Sequence, residues 1–288
     1  MSRYGCRRRS RKSWVHATRL GFTLADMCHD PSASVPMADR DEGPVSGTEF
    51  ELPTSDGRRF PAYLASPGRP TGSPIVLLPD AGGLHPFYQE LARRFARLGH
   101  PTLAIDYYGR TAGSRARDDG FDHVSHLERL LRRTMLSDVH TAVGHLRTVT
   151  GETPFVLGFC LGGATGLLAG TTDLDIAGAV AFYPWLGELG REPALPAEFV
   201  AGMRCPVLGL FGEADEVTPV AVARAFDDHL DRAGVPHDIV IYPDAVHGFF
   251  EWHYLDTNRR PDIVEDVWPR LAAFFAAPTE TGVRPRSG

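Results

Sequence analysis

The six residues from 158 to 163, Gly-Phe-Cys-Leu-Gly-Gly, have the residue types and spacing of a turn that presents a nucleophile. They follow the apolar run 155–157 and precede a run of small residues, which is typical of a tight passage from a strand into a helix. A nucleophile in such a turn adopts a strained positive φ, and the strand and helix pass closely only if the residues two positions away are small. Gly158 and Gly162 occupy those positions. The sequence therefore predicts that Cys160 is a catalytic nucleophile for acyl transfer.

The predicted turn also places Cys160 at the start of a helix. The backbone N–H of Leu161 is then expected to face a developing oxyanion, and the helix dipole is expected to favour the thiolate. The competing interpretation is that a free cysteine serves as a small buried hydrophobe. Cys205, in Arg-Cys-Pro before an apolar run, fits that interpretation better than Cys160 does.

A cysteine nucleophile needs a base, and the base needs an orienting acid; in this architecture both follow the nucleophile, with the acid first. Asp215 follows the apolar run 207–211, and His247 follows the apolar run 239–242. Each alone has an ordinary interpretation as a loop or capping residue. Their order and placement together predict a Cys160–His247–Asp215 triad. Glu213 and Asp244 are the rival acids.

Apolar runs and helical patterns alternate along the chain and predict the elements that position these residues. A hairpin about Asp56-Gly57 is followed by a succession of short strands and amphipathic helices. This alternation indicates an α/β fold with a mostly parallel central sheet flanked by helices on both faces, and ligands then bind beyond the carboxyl ends of the strands. The predicted strands are 48–52, 60–65, 75–78, 102–105, 155–159, 178–182, 207–211 and 239–242, and the predicted helices are about 86–98, 124–149, 161–170, 219–233 and 262–276.

The sequence lacks the motifs of several enzyme chemistries. Lys12 is the only lysine, so the rest of the chain has no Schiff-base lysine and no phosphate-binding loop of the G-x-x-x-x-G-K type. No dinucleotide-binding glycine motif follows a strand in the right frame. Two histidine pairs, His123 with His126 and His140 with His145, fall on the predicted helix 124–149 without an H-E-x-x-H motif, so we interpret them as surface or packing residues. These absences narrow the chemistry that the chain can carry out.

Composition sets the domain organisation. With 288 residues, 43% of them hydrophobic and 23% charged, the chain suits one large domain, which we place at 47–278. Eight of its thirty basic residues lie in 1–46, a polar segment that we interpret as a disordered basic tail or a mis-assigned start, with Met37 as the alternative first residue. Residues 279–288 are expected to be a flexible tail.

The same features predict the compartment and the partners. The four cysteines show no C-x-x-C spacing, which favours a reducing, cytoplasmic location over a disulfide scaffold. Neither a signal peptide nor a membrane span is visible, and the short basic tail does not indicate nucleic-acid binding. We expect a small-molecule substrate and a monomer or small homo-oligomer.

With these motifs in view, residues 48–276 resemble the dienelactone hydrolase family of α/β hydrolases. The resemblance rests on Gly-Phe-Cys160-Leu-Gly-Gly, Gly-x-x-Asp215 before a helix, His247-Gly-Phe, and the segment 105–110, which is similar to the family's Asp-Leu-Tyr-x-Arg. It implies an α/β-hydrolase fold and carboxymethylenebutenolidase-like cleavage of esters or lactones through a Cys-His-Asp triad and a thioester intermediate. It also implies no cofactor.

The resemblance further implies roles near the substrate. Where the family commonly has a glutamate that contacts the thiol, this chain has Asp80, and the next residue, Ala81, is expected to supply an oxyanion N–H. Where the family has a second arginine for the substrate carboxylate, this chain has Glu251, which leaves Arg110 alone for an anion. Dienelactone carboxylate is therefore expected to be a poor substrate.

Aromatic residues are predicted to line the pocket, with the loop 185–204 as a lid. These residues are Tyr108, Trp185, Phe249 and Trp252. Two alternatives to a hydrolase remain open at this point: a non-catalytic binding protein that keeps the pocket, and an acyltransferase that uses the same triad.

Overall fold

The computed structural model describes residues 43–54, 56–114, 117, 121–251 and 260–277. Their strands form one eight-stranded sheet in the order β1-β2-β4-β3-β5-β6-β7-β8. The first two strands form an antiparallel hairpin, which pairs antiparallel with β4, and the other strands are mutually parallel. The strands are β1 (Val45–Pro53), β2 (Arg59–Pro67), β3 (Ile75–Leu78), β4 (Thr102–Ile105), β5 (Phe155–Phe159), β6 (Ala179–Phe182), β7 (Val207–Gly212) and β8 (His237–Tyr242).

Seven helices connect these strands in the described part of the chain, together with one 3-10 helix, Ala197–Gly202. They are α1 (Pro86–Arg97), α2 (Gly109–Ala112), α3 (His123–Leu127), α4 (Arg132–Thr150), α5 (Leu161–Gly170), α6 (Val220–Ala233) and α7 (Pro261–Ala276). Buried residues of α1 and α7 share one core cluster, and those of α4, α5 and α6 share another. The helices therefore cover both faces of the sheet, and the predicted α/β fold class is confirmed.

The central strand β3 shows why these sequences form such a sheet. Ile75 and Leu77 belong to one core cluster, whereas Val76 and Leu78 belong to the other. Because alternate side chains of a strand point to opposite faces, a strand covered on both sides must be apolar throughout. The continuous apolar runs in the sequence correspond to these doubly covered strands.

The predicted helix 124–149 is wrong in one respect, because the structure divides it into α3 and α4. Leu131, directly before α4, has extended backbone angles (φ −131°, ψ 130°). The N–H of Arg132 donates to the carboxylate of Glu192, which satisfies a donor at the start of α4. Leu127, at the end of α3, and Leu130, within the break, are both buried in the core, so their spacing imitates a continuous helix.

The strand order brings five loops to one edge of the sheet. The loops that follow β3, β5, β6, β7 and β8 all leave from the carboxyl ends of parallel, neighbouring strands. Cys160, Asp215 and His247 lie on three of these loops, which is where ligands bind in sheets of this kind. Among the described residues, no helix is long and apolar enough to cross a membrane.

Candidate active site

Cys160 lies in a strained turn between β5 and α5. Its φ of 49° and ψ of −112° confirm the predicted positive φ. A Cβ on Gly158 would lie 2.2 Å from the carbonyl oxygen of Gly162, and a Cβ on Gly162 would lie 2.3 Å from the carbonyl oxygens of Leu78 and Pro79. Both positions therefore require glycine, since a methyl group would overlap backbone.

The sulfur of Cys160 is in a buried and electrostatically negative environment. The residue is 1% exposed, and burial raises the pKa of its thiol, with the negative charge of Asp80 as the next contribution. The N–H of Leu161 lowers that pKa, but by less. Our expectation that the helix start favours the thiolate is thus outweighed by loss of solvation, and the structure favours a neutral thiol at rest.

Asp215 and His247 form a hydrogen-bonded pair beside the elbow. Asp215 Oδ2 lies 2.8 Å from His247 Nδ1, and Asp215 Oδ1 accepts the N–H groups of Val217 and Thr218. His247 Nε2 is buried and has no hydrogen-bond partner among the described residues. With its acid on Nδ1 and its Nε2 unengaged, His247 is arranged to accept a proton.

The rival acids take no part in this pair. Glu213 and Asp244 are both exposed, whereas Asp215 is 4% exposed. Asp244 has a positive φ of 56° in the turn after β8. The structure therefore selects Asp215 as the partner of His247.

The loop after β3 is held against the elbow by polar contacts. The carbonyl oxygen of Pro79, which approaches Gly162, accepts a hydrogen bond of 2.9 Å from the hydroxyl of Tyr107. The carbonyl oxygen of Ala81 accepts one of 2.6 Å from Tyr108. The two segments that carry the predicted oxyanion donors, Leu161 and Ala81, are thus packed together.

Asp80 bonds within its own loop. Its Oδ1 accepts the N–H of Gly82 and lies 3.5 Å from His85 Nε2. Asp80 is 6% exposed, and its charge raises the pKa of Cys160. A second histidine and carboxylate pair thus lies in the loop after β3.

Glu251 is buried rather than solvent-facing. It is 3% exposed, and its two carboxylate oxygens accept hydrogen bonds from the hydroxyls of Tyr88 and Tyr183. Burial raises the pKa of Glu251, and the negative charge of Asp80 raises it further. From sequence we predict that Glu251 repels an anionic substrate. Any such repulsion must act while Glu251 is hydrogen-bonded to Tyr88 and Tyr183, and not through a solvent-exposed carboxylate.

Arg110 is engaged by two acids and not by the Asp215–His247 pair. Its guanidinium pairs with Asp56 and, at 2.7 Å, with Asp138. Burial raises the pKa of Asp138 to about 6 even though Arg110 opposes that shift. The positive charge that we expect to bind an anionic substrate is thus already paired within the protein.

The predicted pocket aromatics have different surroundings. The Tyr108 hydroxyl is bound to Ala81, and the Phe249 ring packs edge-on against the rings of Tyr183 and Tyr242 at 5.0 and 5.3 Å. Trp185 is half-buried and lines a narrow cleft. The other residues of that cleft are Arg132, Leu161, Ala164, Thr165, Leu168 and Leu195. Trp252 lies outside the described residues.

The predicted lid carries short local structure and is fastened to the α3–α4 break. It contains a β-bridge between Leu189 and Glu192 and the 3-10 helix. Arg132 donates to the carbonyl oxygens of Gly187 and Pro193 and contacts Glu192. Movement of this loop would have to break the contacts of Arg132.

Three residues of the site were not singled out from sequence. They are Tyr88, on α1; Tyr183, directly after β6; and His85, directly before α1. A signal existed for two of them, because Tyr183 and His85 follow predicted strands at the edge where Cys160, Asp215 and His247 meet. Tyr88 lies in an ordinary amphipathic helix pattern, so the sequence contained no signal of a role for it in the site.

No group of three or more potential metal ligands occurs among the described residues. His123 and His126 lie on α3, and His140 and His145 lie on α4.

Comparisons with known proteins identify the family of the chain. The sequence model of the dienelactone hydrolase family matches residues 60–278. A relative from Methylorubrum extorquens named "Putative carboxymethylenebutenolidase" is 30% identical over 91% of this chain and 91% of its own. A carboxymethylenebutenolidase from Rhodococcus opacus is 29% identical over 86% of this chain and 96% of its own.

A solved structure shares the fold. It is described as a "Putative Dienelactone Hydrolase" from Klebsiella pneumoniae, and it superposes with a TM-score of 0.70 at 24% identity. The match covers 82% of this chain and 100% of the other.

Proposed function

The chain belongs to the dienelactone hydrolase family, and we propose that it hydrolyses ester or lactone bonds of small molecules with Cys160, His247 and Asp215 as its catalytic triad. The observation that carries the proposal is the arrangement of the site. A strained cysteine at a strand-to-helix turn lies at the sheet edge that also holds a buried Asp–His pair with an unengaged Nε2. These are the nucleophile, base and orienting acid that acyl transfer needs.

The first half of the reaction forms a thioester. His247 Nε2 takes the proton from the Cys160 thiol as the sulfur attacks the substrate carbonyl carbon. The carbonyl oxygen becomes an oxyanion, which the N–H groups of Leu161 and Ala81 stabilise. The bond between carbon and the leaving oxygen then breaks, and that oxygen receives the proton from His247.

The second half returns the enzyme to its resting state. His247 removes a proton from water as the water oxygen attacks the thioester carbon. The carbon–sulfur bond breaks, the carboxylic acid product leaves, and the proton returns to Cys160. Asp215 holds Nδ1 throughout and stabilises the imidazolium that forms in both halves.

The raised pKa of the Cys160 thiol bears on its reactivity before substrate binds. A neutral, buried thiol is a weak nucleophile toward oxidants and alkylating agents, because the thiolate is the reactive form. We expect the thiolate to form only when a carbonyl lies within reach of the sulfur and His247 accepts the proton.

We further propose that neutral lactones and aryl esters are better substrates than anionic lactones. Asp80 and Glu251 place two carboxyl groups around the site, and the charge of Arg110 is paired with Asp56 and Asp138. An anion would approach the negative charge of Asp80 while Arg110 is already engaged by two acids, which costs free energy in a buried site. The relatives' name, by contrast, describes carboxymethylenebutenolide as the substrate.

The test is steady-state hydrolysis of a panel of neutral lactones, aryl esters and dienelactone carboxylate. Cys160→Ala should lose several orders of magnitude in kcat/KM, whereas the matched control Cys205→Ala should keep parental activity. His247→Ala should lose activity to a similar extent, because without the imidazole neither the thiol nor water is deprotonated. In the parental enzyme, acid quenching during turnover of an activated aryl ester should reveal an acyl group on Cys160 by intact-protein mass spectrometry. Parental activity in Cys160→Ala would refute the triad, and a preference for dienelactone carboxylate would refute the selectivity.

A further inference from the structure

Glu251 is a buried carboxyl group for which the catalytic cycle above has no use. It lies in the loop after β8, four residues beyond His247, and is 3% exposed. Its Oε1 accepts from the Tyr88 hydroxyl, and its Oε2 accepts from the Tyr183 hydroxyl at 2.9 Å. Burying a carboxyl group is costly, so these two hydrogen bonds must offset a substantial loss of solvation.

Tyr88 connects Glu251 to the loop after β3. The Tyr88 hydroxyl oxygen accepts the backbone N–H of Asp80 at 3.0 Å while its proton points to Glu251. The hydroxyl is thus used both as donor and as acceptor, which fixes its orientation. Asp80 directly precedes Ala81, whose N–H we assign to the oxyanion.

Tyr183 connects Glu251 to the catalytic histidine. The Tyr183 ring lies edge-on to the His247 ring, with centroids 5.0 Å apart and planes at 64°. Its backbone has a φ of 35°, a conformation that non-glycine residues rarely adopt and that must be held by surrounding contacts. The hydrogen bond to Glu251 is one such contact.

We propose that Glu251 is a positioning residue that fixes the Asp80–Ala81 segment through Tyr88 and the His247 ring through Tyr183. The inference rests on the proposed function, since it assigns roles toward that reaction. It connects the three loops after β3, β6 and β8 through one carboxyl group. Loss of this link would displace an oxyanion donor and the base from their positions in the transition state.

This role predicts a particular pattern in the kinetics. A displaced oxyanion donor weakens binding of the transition state more than binding of the substrate, so kcat should fall while KM changes little. Complete removal of such a donor costs about 10²- to 10³-fold in kcat. Displacement without removal should cost less, and we expect about tenfold or more for Glu251→Leu.

The test compares Glu251→Leu with Glu251→Gln on a neutral aryl ester. Glutamine keeps an oxygen that can accept from Tyr88 and supplies an N–H that can donate to the Tyr183 oxygen. Glu251→Gln should therefore stay within about threefold of the parental kcat, whereas Glu251→Leu should not. If Glu251 only filled space, the leucine variant would not have a lower kcat than the glutamine variant.

Tyrosine variants provide the controls. Tyr88→Phe and Tyr183→Phe should each lower kcat. Adding Tyr88→Phe to Glu251→Leu should lower kcat little further, because Glu251→Leu has already broken the hydrogen bond between Tyr88 and Glu251. Tyr242→Phe removes a hydroxyl that bonds to Asp266 on α7 at 2.9 Å and not to Glu251, Tyr88 or Tyr183, and it should leave kcat unchanged. If Glu251→Leu fails to fold, the two tyrosine variants decide the matter.

The outcomes separate this inference from the proposed function. Parental kcat in a folded Glu251→Leu, or in both tyrosine variants, would overturn the positioning role even if Cys160→Ala is inactive. An active Cys160→Ala would instead overturn the triad, whatever the Glu251 variants do. A glutamine variant as impaired as the leucine variant would also contradict the proposal.

Discussion

Asp215 uses its two carboxylate oxygens for two different purposes. Oδ1 accepts the backbone N–H groups of Val217 and Thr218 at 2.8 and 2.7 Å, and Oδ2 lies 2.8 Å from Nδ1 of His247. The first set of bonds fixes the side chain on its own loop, so the second fixes the imidazole relative to the sheet. The acid of the proposed triad is therefore pre-organised.

We expect Asp215→Asn to lower kcat by about three to four orders of magnitude, because an amide N–H facing Nδ1 favours the wrong histidine tautomer. The fold should survive, since the asparagine oxygen can still accept the two backbone N–H groups. Steady-state kinetics with a neutral lactone and thermal unfolding measure both effects. The matched control is Asp227→Asn, which alters the pair between Asp227 on α6 and His237 on β8 and should leave kcat unchanged. Equal kcat values in the two variants would contradict the assignment of Asp215.

Gly158→Ala should lower the free energy of unfolding by about 3 kcal/mol or more, because its Cβ would overlap the backbone of Gly162 and neither segment can move alone. Gly144→Ala is the opposite case, since nothing lies within 4 Å of a Cβ there, in the middle of α4. That variant should gain up to about 1 kcal/mol from helix propensity. Urea unfolding of both variants checks the contrast, and a tolerated Gly158→Ala would mean that the elbow is less tightly packed than described.

Arg117→Ala should be strongly destabilising. Arg117 pairs through Nε and Nη2 with Asp106, and both residues are buried. Removing one partner of a buried ion pair leaves an uncompensated charge and costs about 3–5 kcal/mol. Asp106 also accepts the N–H of Leu84, so the loop after β3 should loosen as well.

The control for Arg117 is Arg147→Ala, which removes an exposed pair with Asp175 and should change stability by less than about 1 kcal/mol. Urea unfolding of the two variants measures the difference. If they lose similar amounts, the Arg117–Asp106 pair is not the buried link that the structure indicates.

Alkylation of Cys160 should be slow at neutral pH and should accelerate as the pH rises. Burial and the charge of Asp80 raise the pKa of the thiol, so the reactive thiolate is a small fraction below that pKa and increases about tenfold per pH unit. The rate with iodoacetamide should therefore still be rising at pH 9, where an ordinary thiol begins to level off. Peptide-level mass spectrometry assigns the modification to Cys160 and separates it from Cys6, Cys28 and Cys205. A fast, pH-independent rate would indicate a resting thiolate instead.

Local sequence determined the elbow and the order of the residues in the proposed triad. Small residues at 158 and 162, an apolar run before Cys160, and an acid and a histidine after successive strands are short-range patterns with direct steric or topological causes. The same holds for the sheet, since strands covered on both faces must be apolar throughout. These features were predictable because each depends on neighbours in the chain.

Only the tertiary structure decided how charges are compensated around the site. The Glu251 carboxylate meets hydroxyls 163 and 68 residues away, and Arg110 is paired with acids 54 and 28 residues away. The break between α3 and α4 depends on Glu192, 60 residues from Arg132. The state of the Cys160 thiol depends on burial by the whole fold. None of these contacts leaves a periodic trace in the sequence, because a buried polar group needs a partner at the right distance in space and not at a fixed spacing along the chain.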